Sequence, residues 1–197
     1  MKGIVYKSTG SWYSVKTKQG IEYQCRIKGK LRLNNLQSTN PLAVGDVVEF
    51  DLEKNDKSNS GIIDHVCERK NYILRKSVNL SRQTHILAAN IDVLFLVITL
   101  NNPITTTNFI DRFLISSNAY SIDTTLLFNK IDSYSKNQIL EIEKLINIYT
   151  KIGYKCIKIS ATENLNINKI VPLIKNKTIM FGGHSGTGKT SIINCIE

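Results

Sequence analysis

Apolar and polar positions alternate in short runs over the first third of the chain, and then the period changes. Residues 3–6, 12–16, 21–27, 47–52 and 61–66 place β-branched and aromatic side chains at alternate positions, while Thr9-Gly10, Gln19-Gly20 and Val44-Gly45-Asp46 interrupt them. A period of two with turn residues between the runs predicts half-buried strands. Five strands in so short a span predict a small closed barrel, with an OB-fold as the leading form. Residues 34–41 and 56–60 are polar and read as loops.

From residue 92 onward the pattern is different. Residues 92–100 (DVLFLVITL) form a continuous apolar run, as expected of a parallel strand covered on both faces. Phe109, Ile110, Phe113 and Leu114 fall at helical spacing within 107–120, and 124–128 is a second apolar strand. Ile139, Ile142, Leu145, Ile146 and Tyr149 stand three or four apart, which predicts an amphipathic helix over 136–149. A strand at 156–159, a short helix at 165–174, a strand at 178–181 and a helix opening at Lys189 complete the series. Alternation of strand and helix predicts a doubly wound α/β sheet with right-handed crossovers. Between the two patterns, Arg69, Lys70, Arg75, Lys76 and Arg82 lie among few acids. The expected organisation is a barrel over 1–68, a basic linker over 69–90 and an α/β domain over 91–197.

A hydrophobic fraction of 42% and a charged fraction of 21% exclude a disordered or membrane-embedded chain. The formal charge of +10 favours polyanionic partners such as RNA or an anionic membrane surface, although an Ile-, Asn- and Lys-rich composition alone would also raise it. Cys25, Cys67, Cys156 and Cys195 form no CxxC pair and have no His at metal spacing, so neither a zinc site nor a disulfide framework is indicated. Small buried thiols in a reducing compartment are expected. No signal-like segment and no run of about 20 apolar residues is present, and a cytoplasmic protein is expected.

The candidate chemistry begins at Gly183-His184-Ser185-Gly186-Thr187-Gly188-Lys189-Thr190-Ser191, which fits GxxxxGK[ST] directly after an apolar strand. Glycines there let backbone N–H groups approach phosphate oxygens, Lys189 reaches the β- and γ-phosphates, and the Thr190 hydroxyl ligates Mg²⁺. The base is read elsewhere. Asn129-Lys130-Ile131-Asp132 follows the strand at 124–128, at the carboxyl end where open α/β sheets bind ligands. The Asp132 carboxylate matches the N1–H and 2-amino donors of guanine, a pair that adenine lacks. Asn129 can meet the other edge of the base, and the Lys130 stem can cover its face. Ser160-Ala161 ends the next strand, with the Ala161 N–H expected to donate to guanine O6. NKxD precedes the phosphate loop, whereas ordinary GTPases have the reverse order, so the α/β domain reads as a circularly permuted P-loop GTPase. His184 has no catalytic role assigned, and His65 and His85 are lone histidines.

These segments, together with Gly45-Asp46-Val47-Val48, Glu68-Arg69-Lys70-Asn71-Tyr72-Ile73-Leu74-Arg75, Ala89-Asn90-Ile91-Asp92 and Phe109-Ile110-Asp111-Arg112-Phe113-Leu114, make the whole chain resemble the ribosome-small-subunit-dependent GTPases of the RsgA or YjeQ type. The resemblance implies a GTP-hydrolysing factor of late small-subunit (30S) maturation that uses Mg²⁺ with GTP or GDP and touches 16S rRNA through its barrel; a monomer is expected. In that family a switch segment, a DxxG motif and a zinc-binding domain follow the phosphate loop. None is found here, so the GTPase domain is expected to be incomplete, hydrolysis by this chain is doubtful, no catalytic residue is assigned, and the zinc expected in the family has no ligands here. The strand at 178–181 is then expected to be an exposed apolar sheet edge.

On the barrel, Lys16, Lys18, Arg26, Lys28, Lys30 and Arg32 interleave with Trp12, Tyr13 and Tyr23. Basic grooves with aromatics are how OB-folds hold nucleic acid, so RNA contact by some of these cations is expected. Two alternatives remain open. One is a non-hydrolytic RNA-binding module with a vestigial nucleotide fold; the other, an ATP-dependent kinase, is disfavoured by Asp132 and Ser160-Ala161.

Overall fold

The computed structural model describes residues 1–28, 41–53, 59–76 and 84–197. The chain divides into two compact units, Met1–Asn90 and Ile91–Glu197.

In the first unit, strands β1 (Lys2–Ser8), β2 (Tyr13–Thr17), β3 (Glu22–Ile27), β4 (Val47–Leu52) and β5 (Ser60–Val66) close a barrel in the order β1-β2-β3-β5-β4. All pairings are antiparallel except β3 with β5. The alternation read from the sequence is what closes it. Val5, Tyr13, Val15, Tyr23, Cys25, Val48, Phe50 and Ile63 point inward and are buried, each contributing about 1.5–3 kcal/mol for the larger side chains. Cys25 is one of these small buried groups, and burial, with the Glu53 charge second, pushes its thiol up to about 11. The four cysteines are free; Cys25 is buried and Cys195 exposed.

The segment read as a basic linker contains structure of its own. Strands β6 (Tyr72–Lys76) and β7 (Thr84–Ala89) pair antiparallel, with Ile73, Ile86 and Ala89 buried. Charge density there masked a short apolar alternation. Arg69 is also not a free cation: its Nε donates to Asp46 Oδ1 at 2.6 Å and its Nη2 to Asp46 Oδ2 at 2.7 Å, with the two side chains 7% and 0% exposed. Asp46 Oδ2 also accepts from the Ala43 N–H at 2.8 Å. Beside this pair, Gly45 has φ +92, and a Cβ there would collide with the Ala89 carbonyl. The turn thus packs backbone to backbone against the hairpin, which only glycine permits.

In the second unit the sheet order is β10-β9-β8-β11, all parallel, from β8 (Val93–Ile98), β9 (Asp123–Phe128), β10 (Lys155–Lys158) and β11 (Ile179–Gly182). Every residue of β8 is buried. Val93, Phe95 and Val97 face Ile167, Ile170 and Ile192, whereas Leu96 and Ile98 face Ile110, Leu114, Ile142 and Tyr149. Helix α1 (Thr107–Ala119) is capped by the Thr106 side chain, and α2 (Lys136–Ile152) by a Ser135–Gln138 capping box and by Gly153 in the left-handed conformation. The Tyr149 hydroxyl joins these helices by donating to Asp111 Oδ1 at 2.8 Å. The single helix expected over 165–174 is instead a 3₁₀ turn, Ile167–Lys169, and a one-turn helix α3 (Val171–Ile174). Pro172 opens α3 and Asn166 is left-handed. Helix α4 (Lys189–Ile196) follows the Gly-rich loop. Strand β11 pairs only with β8 among the described residues, and Ile179, Met180 and Phe181 are half-buried at that edge.

Candidate guanine-nucleotide site

The carboxyl ends of β11, β9 and β10 bring together the three segments singled out from the sequence. Leaving β11, Gly183, Gly186 and Gly188 take φ of +136, +82 and +93, and the chain enters α4 at Lys189. At Gly188 a Cβ would strike Asn129 Nδ2, so glycine there is what lets the loop meet the NKxD segment. The N-terminus of α4 directs unpaired backbone N–H groups and the positive end of its dipole at this loop. Lys189 folds back so that Nζ donates to the Gly183 carbonyl at 3.0 Å and the His184 carbonyl at 2.6 Å, placing the ammonium over the loop. Ser185, Gly186, Thr190 and Ser191 are exposed, while Thr187 is fully buried and its hydroxyl donates to the His184 carbonyl at 2.9 Å.

Asn129 is the brace of the site. It is 2% exposed, its Nδ2 donates to the Thr187 carbonyl at 2.9 Å, and its Oδ1 accepts from the Ala161 N–H at 3.2 Å. One buried amide therefore ties the loop after β9 to the phosphate loop on one side and to the Ser160-Ala161 loop on the other. The Ala161 N–H donates to Asn129 Oδ1 and the Asn129 amide bridges the two loops, so the two residues expected at the base edge lie side by side. A buried amide must satisfy both its donor and its acceptor, and the nearest backbone partners do so. Ser160 is buried too, and its Oγ accepts from the Glu163 N–H at 3.1 Å.

Lys130 has a left-handed φ of +66, and its Nζ donates to the Asn102 carbonyl at 2.6 Å, so its stem spans from β9 to the loop after β8. Asp132 lies in a 3₁₀ turn, Ile131–Ser133, exposed and with no hydrogen-bond partner among the described residues. Its carboxylate is thereby available to donors from outside the chain. Behind it, the Tyr134 hydroxyl accepts from the Leu100 N–H at 2.9 Å. Burial, more than the Asp132 charge, raises the Tyr134 pKa above its ordinary value, and backbone bonds from Leu100 and Asn101 oppose the shift.

Further contacts shape the loops around the site. The His184 ring packs against Phe109, tilted by 33° with centroids 4.0 Å apart, the Phe109 and Phe113 ring centroids are 5.9 Å apart, and a Cβ at Gly182 would run into the Phe113 ring. An aromatic row on α1 thus backs the phosphate loop; helical spacing and membership of the 109–114 segment mark these residues in the sequence, but neither signals contact with the loop. The loop after β8 is fixed by Thr99, whose Oγ1 donates to the Pro103 carbonyl at 2.6 Å and whose N–H is accepted by Thr105 Oγ1 at 3.2 Å.

For Mg²⁺, the donor chemistry fits an ion carried mostly by phosphate oxygens and water. No group of three or more His, Cys, Asp or Glu side chains gathers among the described residues, and the exposed Thr190 hydroxyl at the start of α4 is the one protein ligand expected from the sequence. No helix of the described residues is long and apolar enough to cross a membrane.

On the barrel, Lys16, Lys18, Arg26 and Lys28 are exposed, whereas Lys30 and Arg32 lie outside the described residues. Tyr13 and Tyr23 belong to the core, at 1% and 8% exposure; Trp12 is at the surface.

An OB-like five-stranded barrel followed by a P-loop GTPase domain whose NKxD segment precedes its phosphate loop defines the class as circularly permuted GTPases. The chain matches the RsgA N-terminal domain over residues 2–63 and the RsgA GTPase over residues 66–197, and it belongs to the RsgA GTPase family. It is 55% identical over 197 residues to the small ribosomal subunit biogenesis GTPase RsgA of Flavobacterium psychrophilum, covering 100% of this chain and 60% of that protein. The protein of the same name from Christiangramia forsetii is also 55% identical, with 100% and 62% covered. Among solved structures, YjeQ from Thermotoga maritima superposes with a TM-score of 0.78 at 31% identity, covering 100% of this chain and 64% of that one. YloQ, described as a circularly permuted GTPase, gives a TM-score of 0.70 at 27% identity, with 98% and 63% covered. The chain spans about three-fifths of the length of these relatives.

Proposed function

We propose that this chain binds GTP and GDP with Mg²⁺ as part of a GTP-hydrolysing factor that acts in the cytoplasm on the maturing small ribosomal subunit. Residues 1–68 would serve as its rRNA-contacting barrel, 69–90 as the connection and 91–197 as its nucleotide domain. Gly183–Ser191 would hold the phosphates, with Thr190 on the Mg²⁺, which when bound supplies charge neutralisation of the phosphates. Asn129, Lys130, Asp132, Ser160 and Ala161 would form the guanine pocket. The observation that carries this reading is the pair of Asn129 bonds, which assembles all three segments at one sheet end beside a solvent-facing Asp132 carboxylate. The names borne by relatives at 55% identity support the ribosomal part. Lys16, Lys18, Arg26 and Lys28 are exposed cations available to RNA phosphates, and Lys30 and Arg32 extend that set in sequence.

The test is competition binding with GDP, ADP and XDP on the wild type and Asp132→Asn. The expected result is GDP preference over ADP in the wild type and a shift toward XDP in the variant, because an Asn amide can donate where xanthine offers a carbonyl. Equal binding of ADP and GDP by the wild type would overturn the assignment.

A further inference from the structure

The outer surface of β1–β3 presents two aromatic rings, each with a cation over it. The Arg26 guanidinium carbon lies 4.0 Å from the centroid of the Trp12 ring, and Lys16 Nζ lies 5.4 Å from that of Tyr6. Neither ring is needed by the core, whose aromatics are Tyr13, Tyr23 and Phe50. Tyr6 is 58% exposed and Trp12 36%. A register shift in β1 between Val5 and Lys7 leaves Tyr6 as the extra residue, and such bulges re-aim side chains. Lys16 and Tyr6 line a groove of about 760 Å³, within the roughly 300–1,000 Å³ of small-ligand sites.

Charge favours one class of occupant. Residues 1–28 carry Lys2, Lys7, Lys16, Lys18, Arg26 and Lys28, all exposed, against the one acid Glu22. A flat guanidinium on an indole offers a planar cationic surface, and bases stack on both Arg planes and aromatic rings. Trp12, directly before β2, and Lys16 within it are four residues apart, about 13 Å at strand rise. A strand of the roughly 4–16 nucleotides an OB fold covers is long enough to reach both positions. We infer that this β1–β3 surface stacks unpaired RNA bases at two positions, Trp12/Arg26 and Tyr6/Lys16, in addition to any phosphate contacts. Paired bases have their faces occupied by their neighbours, so the surface selects single-stranded nucleotides. The inference rests on the RNA-contact reading above and adds a contribution to it that salt does not screen.

Trp12 is the only tryptophan of the chain, so its fluorescence reports on one of the two positions directly. The experiment titrates the full chain with an unstructured RNA of about 12 nucleotides, and with the same RNA annealed to its complement, over a series of salt concentrations. Labelled-RNA anisotropy gives affinities for Trp12→Leu, Trp12→Tyr and Arg26→Gln. The single strand should quench Trp12 and bind tighter than the duplex. Trp12→Leu should lose on the order of tenfold in affinity with its log–log salt slope unchanged. Trp12→Tyr should restore most of the loss, while Arg26→Gln should lose affinity and flatten the slope by about one unit. Salt-dependent binding with an unquenched Trp12, an unaffected Trp12→Leu, or a duplex bound as tightly as the single strand would overturn stacking and leave the phosphate-contact reading standing. Failure to bind either RNA would remove both.

Discussion

Each of the two units buries a core of its own, but they expose their chemistry differently. At the carboxyl end of the α/β sheet, the groups that join the loops of the candidate site are already committed within the chain. Asn129 bonds Thr187 and Ala161, Lys189 bonds two loop carbonyls, and Lys130 bonds Asn102. On the barrel the corresponding groups are solvent-facing rings and cations with few mutual constraints. A site built from cross-bonded loops ties ligand binding to stability, so a single deletion should disturb both. A surface built from exposed side chains separates the two, so deletions there should weaken binding and leave folding alone.

The largest expected effect tests whether the barrel unit has any internal brace of the first kind. Asp46→Ala leaves the buried Arg69 guanidinium uncompensated, which costs about 3–5 kcal/mol. Denaturant titration followed by Trp12 fluorescence reads the barrel unit specifically, because the sole tryptophan is there. Its midpoint should fall sharply while nucleotide affinity is retained. A midpoint equal to wild type would show that the pair carries no net stability.

Next in size is Asn129→Ala, which strands the Ala161 N–H and the Thr187 carbonyl in a buried setting. At about 1–3 kcal/mol for a buried unsatisfied group, a loss near 2–4 kcal/mol is expected for the α/β unit. Hydrogen exchange at residues 159–161 and 187–189 should rise, and nucleotide affinity should fall in the same variant. Asp132→Ala is the control: exposed and without a hydrogen bond among the described residues, it should cost nucleotide affinity with little change in exchange. Separation of the two effects in Asn129→Ala would break the proposed link between stability and binding.

On the proposed reading of the loop, Lys189→Ala removes a charge-assisted contact to phosphate, worth about 1.5–3 kcal/mol or roughly 10- to 150-fold in affinity. Isothermal titration with GTP and GDP measures it. Unchanged GTP affinity would mean that the Gly-rich loop is a turn and no more.

What the sequence made legible follows the same division. Both period patterns were readable: the alternation that closes the barrel around Val5, Val15 and Phe50, and the apolar run that buries β8 on both faces. The phosphate and NKxD segments were readable because backbone geometry there demands particular residues at fixed spacing. Bonds between distant segments were not. Nothing local in Asn129 says that its amide will reach Thr187, 58 positions away, before it reaches a ligand. Phe109 carries a helical spacing that fits core packing as well as it fits contact with His184. Tyr6 escaped because a bulge, which no alternation records, decides which way it faces. The hairpin of β6 and β7 was obscured by the basic residues around it.

The smallest effect expected is also the one that most sharpens the comparison. Lys28 is exposed just beyond β3 and no salt bridge of it is found among the described residues, so reversing its charge should leave folding untouched. If it contacts an RNA phosphate, Lys28→Glu should flatten the log–log salt dependence of RNA binding by about one unit, since each neutralised phosphate releases roughly 0.7–0.9 of a counterion. The affinity change at physiological salt should be modest and the Trp12 quench should persist, because stacking and charge contribute separately on this surface. Nucleotide binding by the α/β unit should not move. An unaltered slope would place Lys28 on a solvated face and leave Lys16, Lys18, Arg26, Lys30 and Arg32 as the candidate RNA-contacting cations.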